Sequence, residues 1–201
     1  YKELSSTNAV ASELVKSKQI AGSSVIIAEN QNQGRRQLQT KWHSAPKQNL
    51  TFSLVLTKVE LPATSHFFLN QCISLSIQSS LDALGFETQI KWPKDIYYQN
   101  KKLAGLLIET QINGNKINNL IIGIGLNVNQ KKWPTDLKNP ISLSTIQGAP
   151  LDLQHFIDQW IPAFHTELQS LLKQTEIAIS AQYKSKLYGI NENRKFEEKH
   201  G

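Results

Sequence analysis

The chain is expected to fold as a mixed α/β domain with a largely antiparallel sheet flanked by helices. Three features of its 201 residues predict this. Several segments repeat apolar residues every three or four positions, as helices do, whereas others alternate apolar and polar residues, as half-buried strands do. Asn113-Gly114-Asn115 joins two long apolar runs in the manner of a tight hairpin. Helices that interleave with hairpin-linked strands favour antiparallel pairing, because a parallel neighbour needs a long crossover.

Each element has its own signal. Ser6 and Thr7 offer capping hydroxyls ahead of a stripe formed by Val10, Ala11, Leu14 and Val15, which predicts a first helix. Ser24–Ala28 reads as a buried strand. Residues 30–49 are polar without a sustained period, which predicts a long loop, and long loops in compact domains are usually functional. Leu50, Phe52, Leu54 and Leu56 alternate as a strand. Pro62 is expected to open a central helix carrying one stripe through Leu69, Ile73, Ile77, Leu81 and Leu84 and another through Phe68, Cys72 and Leu75. Short strands at residues 88–91 and 96–98 precede the hairpin strands, residues 102–112 and 116–128. Helical spacing then runs from Leu153 to Leu172, with a kink expected at Pro162. A final helix is predicted at residues 175–187. There is no internal repeat.

Composition narrows the functional classes. Hydrophobic residues at 39%, charged residues at 19% and a mean hydropathy of -0.36 exclude a disordered or fibrous chain. The longest apolar or glycine stretch, residues 120–126, is too short to span a bilayer, so no membrane partner is expected. A lone cysteine, Cys72, rules out an internal disulfide and fits the reducing cytoplasm. Its place in an apolar helix stripe makes it a core residue. A net charge of +6 suits an anionic partner such as a nucleotide or an acidic protein. Arg35, Arg36 and Lys41 are too few to make the basic stripe that nucleic-acid binding requires.

Four constellations can carry chemistry. The first is Lys91-Trp92-Pro93-Lys94-Asp95, followed by Lys102-Leu103-Ala104-Gly105. Lys102 at the start of an apolar strand can meet a carboxylate, and Gly105 lets a ligand approach the backbone. Asp95 can hold Mg²⁺, accept a proton from an amine, or simply shape a turn. The second is Gly123-Ile124-Gly125-Leu126-Asn127, whose alternating glycines form either a ligand wall or a bulged strand. The third, Gln31 to Arg36 with Gly34 and Arg35, is a phosphate cradle or an ordinary surface loop. The fourth, Ser6-Thr7-Asn8, is a helix cap whose free donors can also face a ligand. The five histidines show no paired metal-ligand spacing, so no protein-held metal centre is expected.

Taken in order, these motifs resemble the biotin–protein ligase family. The resemblance rests on Ser6-Thr7-Asn8, Gln31, Gly34-Arg35, Lys41-Trp42, Ser44, Pro46, Asn49-Leu50, Lys91-Trp92-Pro93, Asp95, Lys102 to Gly105, Glu109, and Gly123 to Asn127. The combination of the Trp-Pro-x-Asp block with the later Lys-x-x-Gly and Gly-x-Gly-x-Asn is the specific part. The resemblance implies a fold shared with lipoate ligases and distantly with class II tRNA synthetases. It implies that biotin and MgATP form biotinyl-5′-AMP and pyrophosphate, and that a lysine of a biotin carboxyl carrier protein then displaces AMP. Ser6, Thr7 and Gln31, with Asn8 beside them, would contact the ureido end of biotin. Gly34, Arg35, Gly105, Gly123 and Gly125 would line the biotin and its linkage. Lys102 would bind the carboxylate, Arg35, Arg36, Trp42, Lys94 and Asn127 would contact ATP, and Asp95 would help activate the acceptor amine, with Mg²⁺ near it. The resemblance thus implies a catalytic set of Lys102, Asp95 and Arg35.

Two departures stand out. Members usually read Gly-Arg-Gly and then further arginine and glycine in the phosphate loop, where this chain has Arg36, Gln37, Leu38 and Gln39. They usually read Trp-Pro-Asn-Asp, where this chain has Lys94. Side chains in that loop are expected to hinder closure and hasten escape of the adenylate, unless Lys94 compensates with a phosphate contact. A lipoate ligase of the same fold and a biotin-binding relative with lost turnover are the competing readings. Residues 1–188 are expected to form the catalytic domain and residues 189–201 a linker toward a truncated or missing small C-terminal β-domain. No DNA-binding domain is expected ahead of the first helix, and a homodimer remains an open arrangement.

Overall fold

The computed structural model describes residues 1–32, 42–190 and 192. A six-stranded antiparallel sheet forms its centre, in the order β2-β4-β8-β7-β6-β5. These strands are β2 (Ser24–Ala28), β4 (Leu50–Pro62), β5 (Gln89–Lys91), β6 (Asp95–Tyr98), β7 (Lys101–Asn113) and β8 (Lys116–Leu126). A separate two-stranded parallel pair joins β1 (Glu3–Leu4) to β3 (Asn30–Gln31). The helices are α1 (Thr7–Lys16), α2 (His66–Asp82), α3 (Leu143–Gln147), α4 (Leu153–Leu171) and α5 (Glu176–Ser185). The mixed, mainly antiparallel class expected from the hairpin and helix signals is the one observed.

Strand alternation divides the sheet into two faces. Leu50, Phe52, Leu54 and Leu56 of β4 and Leu120, Ile122, Ile124 and Leu126 of β8 point toward α2, α4 and α5 and form the main core. Phe156, Trp160 and Phe164 of α4 stack along one another, and Phe52 meets two of them edge-on. The opposite face carries α1, which buries Ala11 and Val15 against Ile26, Val55 and Ile121. α1 covers only part of that face. Its N-terminus opens toward the remainder, and this leaves the site.

The hairpin forms as predicted, with Asn113 paired to Lys116 and Gly114 at φ +62°. Several boundaries differ from expectation. Pro62 ends β4, paired with Lys116, and the helix starts only at His66 after a single 3₁₀ turn, Ala63–Ser65. The missing amide hydrogen of proline is tolerated at a strand end, and the hairpin extends β4 farther than the apolar run suggests. Residues 30–49 are not wholly loop, because Asn30–Gln31 pairs with β1. β8 stops at Leu126, two residues early, where the Asn127 amide instead bonds the Leu103 carbonyl and the Val128 amide the Asn49 side chain. α4 runs through Pro162. The last helix ends at Ser185 and is capped by Thr175, whose hydroxyl accepts from the Ala178 amide at 3.3 Å.

Candidate functional site

A cleft of about 210 Å³ lies on the α1 face of the sheet. It brings together Ser6, Thr7, Asn8, Gln31, Trp42, Lys94, Asp95, Lys102, Gly105, Gly123 and Gly125, residues far apart in the chain and expected at one site. Asn127 lies in an adjoining hollow of about 250 Å³ that shares Trp42 and Lys102 with the cleft. Gly34, Arg35 and Arg36 lie outside the described residues.

One end of the cleft is polar and built on the start of α1. Ser6 caps that helix from an extended backbone, its Oγ accepting from the Ala9 amide at 3.5 Å. The Thr7 amide, left unpaired within the helix, donates to Gln31 Oε1 at 2.7 Å. Asn8 is 3% exposed and packs on the sheet. Its Nδ2 donates to the Leu107 carbonyl at 3.2 Å and to Glu109 Oε2 at 2.7 Å, while Ser53 Oγ lies 2.6 Å from its Oδ1 and 2.8 Å from Thr7 Oγ1. Ser53 and the role of Glu109 escaped the sequence reading. A trace was present: Thr51 and Ser53 place hydroxyls on one face of a strand segment whose other face is apolar from Leu50 to Leu56.

The glycines act by making room. Gly123 pairs with Ser53 on one side and Leu107 on the other, and a Cβ there would stand 2.3 Å from Asn8 Oδ1. Gly125 pairs with Gly105, and a Cβ on it would stand 2.3 Å from the Trp42 ring. Both glycines lie in continuous register between Leu120 and Leu126, which removes the bulged-strand alternative. In this structure Trp42, only 6% exposed, itself lies over Gly105 and Gly125.

The other end is charged. Lys102 and Asp95 form an ion pair through Nζ and Oδ2. β7 carries a bulge here: Ile96 pairs with Ala104 and Tyr97 with Lys102, leaving Leu103 as the extra residue, buried in the main core. The ammonium of Lys102 therefore stays on the cleft face, 3.4 Å from where a Gly105 side chain would begin. The backbone of Lys102 is fixed by a 2.7 Å bond from its amide to the Asn139 carbonyl and a 3.0 Å bond from the Ile141 amide to its carbonyl. Lys94 lies beside this pair. Burial holds its ammonium below the usual lysine pKa; Asp95 opposes that shift and Lys102 adds to it. The turn bearing Lys94 and Asp95 is tied to α5 by the Tyr183 hydroxyl, which donates to the Pro93 carbonyl at 2.8 Å. Burial pushes that phenol up to about 12, so it remains a donor.

In the adjoining hollow, Asn127 Nδ2 donates to the carbonyls of Ile141 at 3.0 Å and Lys102 at 3.3 Å. Its Oδ1 is buried and has no partner among the described residues. An acceptor so placed is costly unless a ligand donor meets it. Among the described residues no group of three or more His, Cys, Asp or Glu side chains could hold a metal, and no helix is long and apolar enough to cross a membrane.

A profile of the biotin/lipoate A/B protein ligase family matches residues 1–127, well over half of the chain. The chain belongs to this family. The match to the biotin/lipoate A/B protein ligases spans every strand of the sheet and both ends of the cleft. Among its relatives is the bifunctional ligase/repressor BirA of Bacillus subtilis, 31% identical over 194 residues, which are 94% of this chain and 59% of that protein. The chain thus spans somewhat over half the length of that relative. The biotin–[acetyl-CoA-carboxylase] ligase of Paracoccus denitrificans is 28% identical over 79% of this chain and 68% of its own length. The solved biotin protein ligase from Aquifex aeolicus in complex with biotin and ATP superimposes with a TM-score of 0.77 at 28% identity, covering 94% of this chain and 77% of the other. The ligase from Leishmania major in complex with biotinyl-5-AMP, at 20% identity and a TM-score of 0.75, shares the fold.

Proposed function

We propose that the chain activates biotin with ATP and transfers it to a lysine of a biotin carboxyl carrier protein, in the cytoplasm and without a nucleic-acid partner. One observation carries this reading: a single cleft has a hydrogen-bonding end built by Ser6, Thr7 and Gln31 and a cationic end built by Lys102 and Lys94. A ureido ring and a carboxylate joined by an aliphatic chain match those two ends in kind.

In the first step a biotin carboxylate oxygen attacks the α-phosphorus of ATP and pyrophosphate leaves. Lys102, held by Asp95, supplies a fixed cation to the carboxylate and then to the charge that develops beside it. Lys94 adds a second cation on the phosphate side, with Arg35 and Arg36 as further phosphate contacts. Trp42 supplies an aromatic face and Asn127 Oδ1 an acceptor for an exocyclic amine of the base. Magnesium would enter with the nucleotide, held mainly by its phosphates and water, with Asp95 as a carboxylate at hand in the cleft. In the second step the acceptor amine attacks the acyl carbon and AMP leaves. Asp95 takes the amine's proton.

The test is biotin-dependent exchange of pyrophosphate into ATP, with lipoate as the control substrate. Exchange with biotin alone is expected, and Lys102→Ala should lower it by about 100-fold or more. Undiminished exchange in Lys102→Ala would remove that lysine from the chemistry. Exchange with lipoate instead of biotin would reassign the substrate.

A further inference from the structure

Three lysines stand near the cationic end of the cleft, and each is held differently. Lys102 is committed to Asp95 Oδ2. Lys91 is exposed, donates to the Tyr97 hydroxyl at 3.2 Å and lies 4.9 Å from the centre of that ring. Lys94 is partly buried and lines the cleft itself, and among the described residues its ammonium takes part in no hydrogen bond or ion pair. Its backbone cannot easily withdraw. The residue before it, Pro93, is bonded through its carbonyl to the Tyr183 hydroxyl at 2.8 Å, and the residue after it, Asp95, is paired with Lys91 across the β5–β6 hairpin. An amine is thus fixed in the cleft with an uncommitted nitrogen and a carboxylate next to it in the chain.

We propose that Lys94 is a self-acylation site, whose amine takes the biotinyl group from the adenylate when no acceptor protein is present. The inference rests on the chain activating biotin with ATP. The phosphate that Lys94 is placed to meet is joined through one oxygen to the acyl carbon, so an amine beside the first is within reach of the second. A nucleophile held in the same cleft also needs no encounter from solution. The ammonium gives one proton to Asp95, whose Oδ1 has no partner among the described residues. Lys94 Nζ then attacks the acyl carbon, a C–N bond forms, and the bond from that carbon to the phosphate oxygen breaks. AMP leaves with the electron pair and takes the second proton of the attacking nitrogen. The product is an amide on Lys94. It removes a cation from the cleft and leaves the biotinyl arm tethered there, so the enzyme loses activity as the label accumulates.

The experiment incubates the full chain with biotin and MgATP without a carrier protein, and follows intact mass, peptide maps and pyrophosphate exchange in the same samples. An excess of isotopically heavy Lys102→Ala chain is present as a bystander that keeps its own Lys94. The expected result is one biotinyl group per light chain, mapped to Lys94, with the heavy chain unlabelled and exchange falling in proportion to the label. The rate per chain should not change on dilution, and this readout alone decides the matter if Lys102→Ala does not fold. Exchange that continues without any label overturns the inference and leaves the proposed function standing. So does label on Lys102, or label spread over surface lysines of both chains, which is the signature of adenylate released to solution. A wild type without biotin-dependent exchange overturns both readings, and the exchange assay separates that result from the others.

Discussion

At the scale of single residues, Lys94 shows how position sets chemistry. Its charged form is disfavoured by burial and by Lys102, and favoured by Asp95, with burial the largest influence. The folded state therefore releases the lysine proton at a lower pH than the unfolded chain does. Between that lowered value and the ordinary 10.5, the unfolded chain binds more protons, so stability rises with pH across this window. Below it the cost of keeping the ammonium buried is present in full. Lys94→Asn, which removes the ammonium and keeps a polar side chain, should lose this rise. Urea midpoints measured from pH 7 to pH 10 in both proteins check it: the gap between variant and wild type should shift toward the wild type as pH increases. A gap independent of pH would mean that the lysine is better solvated than its surroundings indicate. The same position bears on turnover, because a phosphate brought beside Lys94 would favour the charged form again.

At the scale of elements, the site depends on how α1 is seated on β8. The helix reaches the sheet through Asn8 on Gly123, while Ala11 and Val15 make the apolar contact farther along. Gly123→Ala places a methyl group where the Asn8 oxygen now lies, so the first turn of α1 must shift. Biotin binding should weaken by about tenfold or more, since a lost, oriented hydrogen bond alone approaches that factor; ATP binding should hold. Calorimetry with each ligand separates the two. Much of this arrangement was legible in the chain. Ser6-Thr7-Asn8 announced a helix start, the Asn-Gly dipeptide announced the hairpin, and Lys102, Gly105, Gly123 and Gly125 were expected at one ligand. What was not legible depends on strand register. Ser53 faces Asn8 only because β4 and β8 pair Ser53 with Gly123, and no local pattern in either strand reports that pairing. Glu109 reaches Asn8 from a position 101 residues away. Pro62 departs from expectation for a different reason: a proline before an apolar stripe fits a helix start and a strand end equally well, and the hairpin partner decides between them.

At the scale of the whole molecule, two layers of different character share one sheet. The layer formed by α2, α4 and α5 is apolar and carries the stack of Phe156, Trp160 and Phe164 against Phe52. The layer formed by α1 is partial and leaves the cleft. Trp160 is 1% exposed, and its Nε1 donates to Ser80 Oγ at 2.9 Å, so it ties α4 to α2 by packing and by a bond. Trp160→Ala should cost about 3–5 kcal/mol through lost burial and the cavity left behind. A lowered urea midpoint with an unchanged slope would confirm it, and the biotin affinity of the remaining folded protein should be retained, because this residue is separated from the cleft by the sheet. A change confined to ligand affinity would contradict the division into layers.

The bulge at Leu103 gives the Lys-x-x-Gly spacing a meaning of its own. In an unbroken strand, positions an odd number apart look to opposite sides, so a lysine and a glycine three apart could never share a ligand. Here both line one cleft, because one residue between them is uncounted by the neighbouring strand. The odd interval is itself the written trace of the irregularity. Straightening the strand while keeping all its residues would turn the ammonium inward, into a layer of hydrocarbon where no counter-charge waits.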